Sequence, residues 1–193
     1  MPRVIACGEL SRDPLTLLPR GCLEEGFDLL TRSGVTPRPH DERQPGDPLA
    51  LAFQGTLAPD QQTAADELVR YDTGMLGATT AFGKTVVAAN LIARRGVNTL
   101  VRGHRRHLLE RWVARLQDFL DVPAESIGVI RGAMRRPTGR MDVALIQSLN
   151  RQGTVDDLVD RYGRVIVDEC HHVSAVRLAR RRVRCPSAAG RPG

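Results

Sequence analysis

Apolar residues recur along this chain at helical and strand spacings in turn. Residues 3–7 have strand character. Leu23, Phe27 and Leu30 stand at i, i+4 and i+7 with Gly34 behind them, which predicts a helix over 22–33. Pro37, Pro39, Pro45, Gly46 and Pro48 then punctuate a linker, after which Leu49, Leu51 and Phe53 alternate as in a half-buried strand. Pro59 suits the first turn of a helix whose Ala64, Ala65, Leu68 and Val69 share one face. Residues 86–93 are helix-like, and 99–101 form a short strand that Arg102 and Gly103 interrupt. The best-patterned helix is 107–120, with Leu108, Leu109, Trp112, Val113, Leu116, Phe119 and Leu120 on one side. Trp112 is therefore read as core rather than as a stacking platform. Strands follow at 127–130, 143–146 and 165–167, with a short helix at 155–159. Apolar strands alternating with helices predict a parallel sheet covered on both faces.

One stretch of this pattern carries chemistry. Ala78-Thr79-Thr80-Ala81-Phe82-Gly83-Lys84-Thr85 lies between a short apolar run (Met75, Leu76) and a helix-like segment. A triphosphate needs backbone N–H groups, a helix N-terminus and a mobile ammonium converging on one point. Gly83 admits the backbone, Lys84 reaches the β- and γ-phosphates, and the Thr85 hydroxyl is a ligand for Mg²⁺. The strict pattern has Gly where this chain has Ala78. On the loop alone, an ordinary strand–turn–helix with a chance Gly-Lys-Thr stays open. Gln61, shortly before the loop, suits an adenine edge because its amide both donates and accepts; a solvated glutamine fits as well.

Composition sharpens the picture in two places. Of the 28 basic residues, 27 are Arg, and the single Lys is Lys84. A chain that uses Arg elsewhere keeps a compact ammonium where a flexible point charge is useful. The net charge of +6 suggests nucleic acid, but it is local: without the six arginines of 173–193, 22 basic residues face 22 acidic ones. At 193 residues, 41% hydrophobic and 26% charged, one ordinary globular domain plus a small segment is expected. No apolar run is long enough to span a membrane and the first ten residues lack a signal-peptide core, so the expected location is cytoplasmic. Cys7, Cys22, Cys170 and Cys185 form no C-x-x-C pair and are expected as free thiols.

The second motif is Asp168-Glu169-Cys170-His171, at the end of an apolar strand, where open α/β sheets place their ligands. Asp168 suits Mg²⁺ opposite Thr85, and Glu169 suits orienting or deprotonating an attacking water. Cys170, His171 and His172 are too close in sequence to converge on one tetrahedral zinc.

Together these stretches resemble the first motor domain of superfamily 2 DExH-type helicases (DEAD/DEAH-box), in the group of type III restriction-enzyme motors and DNA-repair helicases. The resemblance covers about 49–172: 57–61 as the glutamine motif, 78–85 as motif I, His104-Arg105 through Trp112 as motif Ia, 142–149 as a nucleic-acid-facing motif, and 165–172 as motif II. It implies a RecA-like P-loop NTPase fold, with an incomplete parallel sheet and flanking helices, preceded by a small N-terminal α+β segment. It also implies ATP and Mg²⁺ as cofactors. Lys84, Asp168 and Glu169 would be catalytic, 78–85 and Gln61 nucleotide-binding, and Thr85 and Asp168 metal-holding. DNA is the implied partner, through Arg105, Arg106, Gln147 and Ser148, with Arg102 and Arg111 completing a basic cluster for which a solvated helix face is the alternative.

The expected organisation is a preamble and linker at 1–48, a partial ATP-binding domain at 49–172 and a disordered basic tail at 173–193. After His172 the resemblance leads one to expect a Ser/Thr-Ala-Thr strand and a second motor domain. Arg180-Arg181-Arg182 cannot occupy a strand buried on both faces. The expectation is a truncated helicase fragment, inactive alone, with a tail that reads like a frame change in a G- and C-rich gene. A non-catalytic nucleic-acid- or partner-binding fragment that uses the basic tail is the alternative.

Overall fold

The computed structural model describes residues 9–10, 15–18, 23–34, 36, 40–41, 44–151, 154–155, 157–170 and 183–186. In chain order the elements are β1 (Glu9–Leu10), β2 (Leu15–Leu18), α1 (Leu23–Arg32), β3 (His40–Asp41), α2 (Pro59–Val69), α3 (Lys84–Arg95), β4 (Thr99–Gly103), α4 (Arg106–Leu120), β5 (Ile127–Arg131), β6 (Met134–Arg136), β7 (Met141–Leu145), β8 (Asn150–Arg151), β9 (Thr154–Val155), β10 (Arg164–Val167) and β11 (Val183–Pro186). They fall into two compact units, Met1–Arg43 with Val173–Gly193, and Gln44–His172.

In the first unit β1, β2, β11 and β3 form a four-stranded sheet in that order, with antiparallel pairings. The strand expected at 3–7 lies outside the described residues. Of the tail expected at 173–193, Val183–Pro186 is described, as β11, and the rest lies outside.

The second unit is built on a five-stranded sheet in the order β10-β4-β7-β5-β6. The first four strands are parallel, and β6 turns back antiparallel on β5. Side chains alternate between two apolar clusters, as the period of a strand requires. Val101, Val143 and Ile127 join α3 and α4 on one face through Ala89, Ile92, Leu109, Trp112 and Leu116. Leu100, Ala144 and Ile130 join Leu149 and Tyr162 on the other. That second face is covered by 3-10 turns at Ile146–Leu149 and Asp157–Arg161, the latter lying where a short helix was expected. A third cluster, Leu57, Ala65 and Val87, fixes α2 against α3. Arg95 ties the same pair by donating to the carbonyls of Val69 and Tyr71, and Arg94 pairs with Asp66 at 2.6 Å.

Two local expectations change. Arg102 and Gly103 do not interrupt β4; they continue it, because Arg102 is paired with Val167 on one side and Ala144 on the other. Leu49, Leu51 and Phe53 form no strand: the segment is tied singly, Leu49 N–H to Gly96 O and Gln54 N–H to Phe119 O, and packs its apolar side chains beside the helices. The short apolar run before the phosphate loop forms neither helix nor strand. Met75 is 79% exposed, and the outer edge of β10 has no strand partner among the described residues.

Two buried polar side chains hold the end of the sheet where β4 and β7 start. Asn98, 2% exposed, accepts from Asp47 N–H and Gly163 N–H and donates to the carbonyls of Gly139 and Arg161. Gly46 and Gly163 meet beside it so closely that a Cβ on Gly46 would lie 2.5 Å from the Gly163 Cα. Asp142, fully buried, accepts from the N–H groups of Gly128, Thr138 and Gly139 and from the hydroxyls of Thr138 and Tyr162. Burial, then the bond to Asp142, raises the Tyr162 pKa far above the usual phenol value.

Asp142→Ala strands all of these donors at once and is expected to cost about 3–5 kcal/mol, the range for breaking a buried charged network, read as a lowered urea midpoint. Tyr162 gives a pH prediction. The unfolded phenol ionises near about pH 10 and the folded one higher, so above that pH the unfolded state binds fewer protons. Stability falls as pH rises through this alkaline window. The Tyr162 share of the tyrosinate absorbance is expected only as the chain unfolds, and that late component should vanish in Tyr162→Phe.

Candidate nucleotide site

The phosphate-loop sequence folds as a 3-10 turn, Thr80–Phe82, joined to α3 by Gly83. Gly83 has φ +82°, and a Cβ there would sit 2.7 Å from Gln61 Nε2. Both features call for glycine. No side chain caps α3, so the N–H groups of its first turn are left to the loop. Lys84 folds back across it: Nζ donates to Ala78 O at 2.9 Å and to Thr79 O at 3.0 Å. The ammonium is held by weak neutral acceptors that a phosphate oxygen would outcompete. Thr79, Thr80 and Ala81 are exposed, while Ala78, Phe82, Lys84 and Thr85 are half-buried.

Gln61 is engaged at both ends of its amide. Oε1 accepts from Ala58 N–H at 3.0 Å, closing the first turn of α2, and Nε2 donates to Phe82 O at 2.7 Å. This glutamine therefore fastens α2 to the phosphate loop.

Asp168 and Glu169 turn the chain at the end of β10. Asp168 N–H continues the ladder to Arg102 O at 2.9 Å, and Asp168 Oδ2 accepts from the Trp112 indole N–H at 2.8 Å. Glu169 takes φ +51°, a left-handed conformation that costs a non-glycine residue about 1–3 kcal/mol. Cys170, a free thiol, donates to Met75 Sδ at 3.8 Å, which brings the approach to the phosphate loop beside the acidic pair. His171 and His172 lie outside the described residues. No hydrogen bond joins Lys84 or Thr85 to Asp168 among the described residues.

The donor set limits which metal fits. Among the described residues no three His, Cys, Asp or Glu side chains gather to hold an ion. Thr85 and Asp168 offer a hydroxyl and a carboxylate. That suits Mg²⁺, which keeps its waters, takes one or two protein oxygens and is otherwise carried by phosphates.

The residues expected at nucleic acid divide. Arg105 precedes α4, and it, Arg106 and Arg111 are exposed. Gln147 Nε2 donates to His104 O at 3.2 Å, and Ser148 Oγ accepts from Gly132 N–H at 2.7 Å, so this turn is tied to the loop before α4 and to the hairpin after β5. Arg102 does not belong to the surface cluster: it is 4% exposed, its Nε and Nη2 have no partner among the described residues, and burial lowers its pKa. Its place in β4 sends its side chain to the Leu100 face of the sheet.

Fold and loop define a P-loop α/β domain of the RecA-like kind. The chain belongs to the family described as type III restriction enzyme, res subunit, which matches residues 54–184 and so extends into the arginine-rich stretch beyond His172. It is 26% identical over 129 residues to a protein of Acanthamoeba polyphaga mimivirus named as an ATP-dependent RNA helicase, covering 65% of this chain and 24% of that one. It is 30% identical over 149 residues to a protein of Halobacterium salinarum named as a DNA 3'-5' helicase, covering 76% and 24%. A protein of Invertebrate iridescent virus 3 named as a helicase is 27% identical over 129 residues, covering 62% and 39%. The chain thus spans between a quarter and two fifths of the length of these curated relatives.

Gly83→Ala tests the loop geometry. It forces a side chain into the left-handed region against Gln61, so a loss of about 1–3 kcal/mol is expected in chemical denaturation.

Proposed function

We propose that this chain is the nucleotide-binding motor module of an ATP-dependent helicase or translocase that acts on DNA in the cytoplasm. The observation that carries the reading is the Lys84 ammonium, the chain's only lysine, bonded across its own loop to the Ala78 and Thr79 carbonyls. It is a cation stored at the mouth of an uncapped helix. The family match and the helicase names of the relatives support the same reading.

In this reading the polyphosphate takes the first-turn N–H groups of α3, and Lys84 releases its two carbonyls to bind phosphate oxygens. Thr85 and Asp168 hold Mg²⁺, whose charge offsets that of the phosphates. Glu169 orients and deprotonates the attacking water. Gln61 keeps α2 on the loop and presents that corner to the base. Arg105, Arg106 and the Gln147–Ser148 turn meet the nucleic-acid backbone, where contacts position without reading sequence.

An arginine finger from a second motor domain is worth about 10³–10⁵ in rate, and no motif of these 193 residues supplies one. The isolated chain is therefore expected to bind Mg·ATP, to hydrolyse it negligibly and to unwind nothing. Thermal unfolding with and without Mg·ATP checks the first part: a rise in Tm that disappears in Lys84→Ala is expected. Equal shifts in both chains would refute the site. Sustained phosphate release by the wild type, lost in Lys84→Ala, would refute the inactivity.

A further inference from the structure

Trp112 lies in α4, 5% exposed, with its ring in the apolar cluster that also holds Val101, Leu109 and Leu116. A buried indole N–H needs an acceptor, since leaving it without one costs its full desolvation. The acceptor here is Asp168 Oδ2 at 2.8 Å, 56 residues away in sequence. Asp168 is thereby fixed twice. Its backbone N–H is bonded to Arg102 O of β4, and one carboxylate oxygen is bonded to α4. The other oxygen, Oδ1, has no hydrogen-bond partner among the described residues.

The chemistry of the donor matters. An arginine or lysine at this place would neutralise the carboxylate and weaken its attraction for a divalent cation. An indole is neutral: it orients the carboxylate and leaves its charge for the ion. It is also a single donor on a rigid ring, so it occupies one oxygen and leaves the other open.

We propose that Trp112 is a positioning residue for metal binding, holding the Asp168 carboxylate so that Oδ1 is presented to Mg²⁺. This rests on the nucleotide-site reading above and names a residue that acts on the metal through Asp168.

The chain contains one tryptophan, so its replacement during biosynthesis is site-specific. The full chain is compared in three forms: wild type, Trp112→Phe, and wild type carrying benzothienylalanine, in which sulfur replaces the indole N–H within the same ring outline. Methylanthraniloyl-ADP, excited directly, reports nucleotide binding in EDTA and across a Mg²⁺ titration, and circular dichroism reports the fold. The expected result is a rise of about 10–100-fold in the Mg²⁺ concentration giving half the effect, in both altered chains, the usual cost of losing a partner behind a metal ligand. Binding in EDTA stays as in the wild type, which a merely structural defect would not allow. An unchanged Mg²⁺ midpoint in the benzothienylalanine chain overturns the assignment, as does an equal loss with and without Mg²⁺. If Trp112→Phe does not fold, the isosteric chain decides alone. A wild type that binds nucleotide independently of Mg²⁺ overturns the assignment and leaves the nucleotide site standing. A wild type that binds none sinks both.

Discussion

β4 is the constraint on which the second unit depends. It is paired on both edges, to β10 and β7, and buried along its whole length, so its backbone N–H and C=O groups must be satisfied within the sheet or by what flanks it. Just before its start Asn98 holds three other segments through one amide, at Asp47, at Gly139 and at Arg161 with Gly163. At its far end Arg102 O receives the Asp168 amide, so the acidic turn is positioned by the same ladder that builds the core. The chain then passes His104, whose carbonyl receives Gln147, and enters α4.

The strand pattern made much of this legible. Apolar runs with few polar interruptions gave the parallel strands, because a strand covered on both faces can hold little else. Leu109, Trp112, Leu116 and Leu120 gave the buried stripe of α4. Pairing of Gly83-Lys84-Thr85 with Asp168-Glu169 pointed to one end of one sheet. What escaped the sequence depends on tertiary neighbours. Arg102 looked like the end of a strand, because a guanidinium is costly to bury, yet its backbone bonds on two sides keep it in β4. Leu49, Leu51 and Phe53 had a strand's alternation, but the segment is tied by single bonds to Gly96 and Phe119 beside the helices. β6 was invisible because three residues, Met134–Arg136, are too few to show a period.

Gln61 shows a different limit. Its position before the loop suggested contact with a base, and its amide was right for that. The sequence could not show that Ala58 and Phe82 would take both ends of the amide. The Trp112 bond was more accessible in principle. An indole on the buried stripe of a helix must find an acceptor, and acidic residues at the end of an apolar strand are natural ones. Apolar periodicity alone treats the ring as filler and overlooks its one polar atom.

α4 carries exposed arginines at its start and the Asp168 partner further along. Arg105 and Arg106 stand at its exposed start, and Trp112 follows about two turns later with its N–H on Asp168. Cys170 against Met75 closes the opposite side, where the turn after β10 meets the approach to the phosphate loop. The acidic turn is thus held between a helix that begins at the arginines and a segment that leads to Lys84. Trp112 holds the Asp168 carboxylate from one side, and Cys170 meets Met75 on the other.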